Sequence, residues 1–181
     1  MGMIKILGIS GSLRRGSINT ALLQAMVEAG GDEVSVEVKT LHGIPLYDGD
    51  VEEAEGIPAA VSKLAEAMRA VDGVIFSTPE YNNSIPGVMK NAVDWLSRLD
   101  DDVFAGKPVA LVGASPGGFG TILAQDAWLP VFRTLGVKFW AEGRLLVSKA
   151  GGVFDENGKM VDERMKKKVG EFVEGFAKFL V

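Results

Sequence analysis

The chain has 181 residues, of which 47% are hydrophobic, and carries 24 acidic against 19 basic side chains for a formal charge of -5. That length suits one domain, residues 1–181, with a full buried core, and the acidic balance disfavours a general binder of nucleic acid or anionic membrane. The absence of cysteine excludes a disulfide framework, a thiolate nucleophile and a sulfur-ligated metal, so any redox chemistry has to come from a bound cofactor.

The opening Met1-Gly2-Met3-Ile4-Lys5 lacks the apolar stretch and cleavage site of a signal peptide, and Ile6 stands where a myristoylation pattern needs Ser or Thr. A cytoplasmic location is therefore expected. The longest apolar runs are strand-sized, far short of the roughly 20 residues that span a bilayer. Runs rich in β-branched residues at 4–9, 34–38, 74–78 and 109–114 read as four strands, with a fifth assembled from 137–140 and 145–147. Helical periodicity falls between them, at 21–29, 59–70, 88–99 and 121–135. A last helix carries the stripe Met165, Val169, Phe172, Val173, Phe176 and Leu180. Strand and helix in alternation imply a parallel α/β sheet. The first, third and fourth runs are apolar throughout, as central strands covered on both faces should be, whereas the second alternates and reads as an edge. Lys166-Lys167-Lys168 reads as a solvated helix face.

Long connections fall at 41–56, 79–87, 115–120 and 148–159. The turns after the first, third and fourth strands lie together at the carboxyl edge of the sheet, where open α/β folds bind ligands. The first of these, Gly8-Ile9-Ser10-Gly11-Ser12-Leu13-Arg14-Arg15-Gly16-Ser17-Ile18-Asn19-Thr20, runs from a buried strand directly into a helix. Free N–H groups at that helix start favour an anion, while Ser10, Ser12, Ser17, Asn19 and Thr20 offer further donors and Arg14 a charge-assisted contact. Hydroxyls with one or two arginines suit a terminal phosphate monoester without an obligatory metal. Ser17 replaces the lysine of a P-loop, the glycine spacing is not that of a dinucleotide fingerprint, and the sole histidine, His42, lies too early for a hydrolase triad.

The second loop, Thr78-Pro79-Glu80-Tyr81-Asn82-Asn83-Ser84-Ile85-Pro86-Gly87, has its shape fixed by two prolines and can present Asn82, Asn83, Ser84 and Tyr81 to a heteroaromatic ring. Glu80 reads as a loop anchor or a solvated carboxylate. The third, Ser115-Pro116-Gly117-Gly118-Phe119-Gly120, supplies small residues where backbone can approach a ligand closely. Trp95, Trp128 and Trp140 read as core or interface.

Gly11-Ser12-Leu13-Arg14-x-x-Ser17-x-Asn19, followed by Thr78-Pro79-Glu80-Tyr81-Asn82-x-Ser84-x-Pro86-Gly87-x-x-Lys90-Asn91-x-x-Asp94-Trp95, resembles the NADPH-dependent FMN reductase family over nearly the whole chain. Within that family it looks most like the quinone, chromate and azo-dye reductases. The resemblance implies a flavodoxin-like three-layer sandwich with a five-stranded parallel sheet of order 2-1-3-4-5. It implies FMN phosphate held by Ser12, Arg14, Ser17 and Asn19 with Ser10 and Thr20 nearby, and Leu13 and Ile18 also in the cofactor site. The flavin ring would then rest against Pro79, Glu80, Tyr81, Asn82, Asn83 and Ser84, with Ser115, Gly117 and Gly118 closing its other edge. Also implied are NADPH or NADH as hydride source, a small-molecule electron acceptor and a homodimer or homotetramer.

Hydride transfer between stacked rings needs no side-chain acid or base, so no catalytic residue is expected beyond the cofactor. Two other readings are a flavodoxin-type electron carrier and a flavin-binding regulatory protein, neither turning over NAD(P)H. The acceptor and the choice between NADH and NADPH stay open, although Arg14 or Arg15 can meet a 2′-phosphate. This chain departs from the family pattern after Gly120. Leu123 stands where many relatives carry arginine, and Pro130, where another basic residue is common, is expected to interrupt the helix.

Overall fold

The computed structural model describes residues 2–181. The apolar runs form β1 (Ile4–Ser10), β2 (Val34–Thr40), β3 (Gly73–Ser77) and β4 (Pro108–Ala114), paired in parallel. Two short strands, β5 (Lys138–Phe139) and β6 (Leu145–Val147), both pair with β4. The sheet order is β2-β1-β3-β4-β5, the flavodoxin-like order that the family resemblance implies, with the fifth position divided between β5 and β6. The helices are α1 (Ile18–Gly30), α2 (Gly49–Glu55), α3 (Ala59–Arg69), α4 (Gly87–Leu96), α5 (Ile122–Leu135) and α6 (Glu163–Leu180).

Successive strand residues point to opposite faces, and both faces are covered. Ile6, Ile75, Ala110 and Val112 face a core completed by Leu22 and Met26 of α1 and by Val169, Phe172 and Phe176 of α6. Leu7, Ile9, Val74, Phe76 and Leu111 face the other side, against Leu64 and Met68 of α3, Met89 and Val93 of α4, and Trp128 and Phe132 of α5. Trp128, Phe76 and Phe132 form a three-ring cluster, with Trp128 stacked on Phe76 at 5.8 Å and on Phe132 at 5.4 Å and the two phenylalanines 5.6 Å apart. Each such ring contributes about 1.5–3 kcal/mol by leaving water. This aromatic wedge fixes α5 beneath the carboxyl end of β3, from which the second loop springs.

Two expectations are corrected. Pro130 does not interrupt α5, which runs through it to Leu135. Its missing N–H leaves the Asp126 carbonyl without a helical donor, but both residues are exposed, so water can satisfy that oxygen. The 41–56 connection also contains α2, capped by Asp48, whose side chain accepts from the Asp50 N–H. None of its residues is buried, so it has no apolar stripe for a periodicity to reveal. Among the described residues no helix is long and apolar enough to cross a membrane, and no group of His, Asp and Glu is placed to hold a metal ion.

Candidate functional site

β1 delivers the first loop to the carboxyl edge, where Gly11 N–H donates to the Ser77 carbonyl at 2.9 Å and so ties the loop to β3. A Cβ at Gly11 would lie 2.7 Å from Met89 Sδ and 2.8 Å from Pro79 Cδ, so only glycine lets the first two loops meet. Gly11→Ala is expected to lower apoprotein stability by about 1–3 kcal/mol through overpacking. Urea unfolding checks this, and an unchanged midpoint would refute the close contact.

Beyond Gly11 the hydroxyls are oriented by backbone donors. Ser12 Oγ accepts from the Arg14 N–H at 3.3 Å, and Ser17 Oγ, the N-cap of α1, accepts from the Thr20 N–H at 3.2 Å. Each therefore keeps its own proton free for an outside acceptor. Among the described residues no acceptor within the chain takes up the N–H groups of Ile18 or Asn19, and the Arg14 and Arg15 guanidinium groups form no ion pair. Free amides, hydroxyl protons and positive charge thus converge at the positive end of α1, the composition of an anion site.

The side chains of Ser10, Thr20 and Asn19 act behind this surface. Ser10 Oγ and Thr20 Oγ1 are 2.8 Å apart, one buried and the other half-buried. The Asn19 amide, read from the sequence as an outward donor, points inward: Nδ2 donates to the Ala114 carbonyl at 2.9 Å, and Oδ1 accepts from the Ala114 N–H at 2.9 Å and from Ser77 Oγ at 3.2 Å. What Asn19 offers outward is its backbone N–H. His42 stands outside the loop, with Nε2 3.1 Å from the Leu13 carbonyl and Nδ1 2.9 Å from Thr40 Oγ1.

The second loop folds into a two-residue hairpin. Tyr81 and Ser84 exchange backbone hydrogen bonds of 3.2 and 3.1 Å, and Asn82 and Asn83 take φ of 50° and 61°. Asparagine tolerates that left-handed conformation, as this tight turn requires. The hairpin holds Tyr81 out at 46% exposure. Glu80, at its base, accepts from the Leu123 and Ala124 N–H groups at 2.8 and 3.0 Å.

The third loop is clamped by the chain leaving β6. Ser115 N–H donates to the Val147 carbonyl, Lys149 N–H to that of Gly117, and Ala150 N–H to that of Ser115. Ser115 Oγ accepts from the Gly117 N–H at 3.0 Å, which closes the turn from within. Gly118 has open space where a Cβ would stand.

Together the loops enclose a recess of about 100 Å³ lined by Ser12, Arg14, Ser17, Ile18, Asn19, Pro79, Glu80, Tyr81, Ala114, Ser115 and Pro116. Drug-sized ligands occupy roughly 300–1,000 Å³, so this recess suits the phosphate end of a larger molecule whose remainder lies across the rim. Leu13, Asn82, Asn83, Ser84, Gly117 and Gly118 lie outside the recess, the hairpin and glycine residues being exposed.

Sequence reasoning missed the strap beside the site. The Pro45 carbonyl accepts from Asn91 Nδ2 at 2.8 Å and Trp95 Nε1 at 2.9 Å, while Asn91 Oδ1 accepts from the Tyr47 N–H at 2.8 Å. Asn91 and Trp95 are thus fasteners for the 44–48 segment, which presents Leu46 at 83% exposure. The Tyr47 hydroxyl donates to Glu52, which holds its pKa above the ordinary phenol value, with burial adding to the rise. The only signal for this was the length of the connection.

The family model for NADPH-dependent FMN reductase matches residues 4–152. An NAD(P)H-dependent FMN reductase of Pseudomonas aeruginosa is 44% identical over 164 residues, covering 91% of this chain and 88% of that protein. A quinone reductase of Escherichia coli is 45% identical over 123 residues, 67% of this chain and 65% of that one. Among solved structures, the flavoenzyme NAD(P)H:(acceptor) oxidoreductase of Paracoccus denitrificans superposes with a TM-score of 0.87 at 28% identity, covering 98% of this chain and 97% of that one.

Proposed function

The chain belongs to the NADPH-dependent FMN reductase family, and from that premise we propose that its three-loop recess is where an FMN-dependent NAD(P)H oxidoreductase seats the phosphate of its flavin. The observation that carries this is the convergence of the Ser12 and Ser17 hydroxyls, the free Ile18 and Asn19 amides and the unpaired Arg14 charge at the start of α1. Those donors fit a phosphate monoester, which presents only acceptor oxygens when ionised. FMN held there would supply the redox chemistry, hydride transfer from a reduced nicotinamide and electron transfer to a second substrate.

The protein's part is to hold and orient. The hairpin would offer Tyr81 and the backbone of Asn82 and Asn83 to one edge of the ring, and the Gly117-Gly118 backbone would meet the other with no side chain of its own in the way. Glu80 contributes backbone here, because its carboxylate is engaged by α5. The hairpin tip and the Gly117-Gly118 turn are exposed, which favours flat acceptors that can stack in turn with nicotinamide. Quinones are the acceptor class we propose, consistent with the name carried by the Escherichia coli relative.

Leu46 and Phe119, each 83% exposed, and Leu123 at 47% support a homo-oligomer that buries them. An enzyme drawing on NAD(P)H works where those nucleotides are maintained, which supports a cytoplasmic location. One face serving two substrates predicts parallel initial-velocity lines when NADPH is varied at several quinone concentrations. Intersecting lines with a demonstrable ternary complex would contradict shared occupancy. Anaerobic NADPH that leaves the bound flavin oxidised would instead indicate an electron carrier.

A further inference from the structure

We infer that Glu80 is a positioning residue for the flavin site, serving as a tertiary cap of α5 and locking the second loop to that helix. A helix start leaves its first N–H groups without intrahelical partners, and a local Ser or Thr usually satisfies one of them. Thr121 occupies the N-cap position of α5 but makes no side-chain cap bond. Its Oγ1 accepts instead from Gln125 Nε2 at 3.2 Å and packs against Gly113. The vacant role falls to Glu80, whose Oε2 takes the N–H groups of Leu123 at 2.8 Å and Ala124 at 3.0 Å across sequence separations of 43 and 44 residues.

This contact has two consequences. The 79–81 segment, already pressed against Gly11 on one side, is fixed on the other to α5, which the cluster of Phe76, Trp128 and Phe132 holds in the core. The two N–H groups at the positive end of α5 also offset the negative charge of Glu80, which beside the recess would otherwise repel a phosphate. The function of Glu80 is therefore to accept two hydrogen bonds, and a neutral carbonyl oxygen of the same reach can replace it. The affinity consequence rests on the flavin reading above, whereas the cap itself does not.

Amide hydrogen exchange on the apoprotein tests the cap, and FMN titration tests its effect on the site. Glu80→Ala should reduce protection at Leu123 and Ala124 by about tenfold or more and raise the FMN Kd by about tenfold, as expected for loss of two hydrogen bonds. Glu80→Gln should retain both properties to within about threefold, because its amide oxygen can accept the same two N–H groups. Unchanged exchange at Leu123 and Ala124 in Glu80→Ala would overturn the inference. So would a Glu80→Gln protein that matches Glu80→Ala in FMN Kd, since two accepted hydrogen bonds would then not account for the effect on the site. Failure of the unsubstituted apoprotein to bind FMN would count against the flavin reading alone, the exchange result still deciding the cap.

Discussion

Asn19→Ala is expected to remove about 3–5 kcal/mol of stability from the apoprotein and to abolish flavin binding with it. The side chain is 3% exposed and joins three parts of the fold: its own helix start, β3 through Ser77, and the end of β4 through both backbone polar groups of Ala114. Truncation leaves a buried N–H and a buried carbonyl without partners, each costing about 1–3 kcal/mol. Against a typical domain stability of about 5–15 kcal/mol that loss is large. The cost falls at the site because Ala114 and Asn19 both line the recess. Urea denaturation of the apoprotein is the measurement, and a loss below about 1 kcal/mol would mean that the amide does not join the loops as described. Asn19→Asp should be no rescue, since it removes the donor to Ala114 and buries a charge.

The second large effect is selective. Replacing Ser12 and Arg14 together by alanine should weaken FMN binding about a hundredfold while leaving riboflavin binding unchanged. Charge-assisted hydrogen bonds are worth roughly 1.5–3 kcal/mol and neutral ones less, so about tenfold from each substitution is a conservative sum. Ser12 Oγ also accepts from the Arg14 N–H, so the two are neighbours and their effects need not add. Fluorescence titration with each flavin is the check. An equal loss for riboflavin would show that the double variant had deformed the whole site. An unchanged FMN Kd would remove these two residues from the phosphate contact.

Much of this architecture was legible in the sequence because the period-2 and period-3.6 patterns are strong where strands and helices are buried. The apolar runs of β1, β3 and β4, the alternating β2 and even the divided fifth strand are where the residues placed them. The motif residues also arrive at one sheet edge, as a parallel topology requires. Direction was not legible. A sequence shows that Asn19 and Thr20 are donors, but not that one turns inward to Ala114 and the other to Ser10. Nor does it show that Glu80 reaches a helix beginning some forty residues later, since tertiary capping leaves no local signature and Thr121 occupies the expected cap position. The exposed α2 had only its Asp48 cap to announce it, and Pro130 misled because a helix can lose one hydrogen bond on its solvent face and continue.

Recognition of the phosphate is the role we propose for the recess at the start of α1. Titrating the apoprotein with FMN and with riboflavin at the same ionic strength tests this most directly, because the two ligands differ only in that group. FMN should bind at least about a hundredfold more tightly, with a preference that shrinks as salt rises and screens the Arg14 charge. Equal affinity for the two flavins would contradict the account.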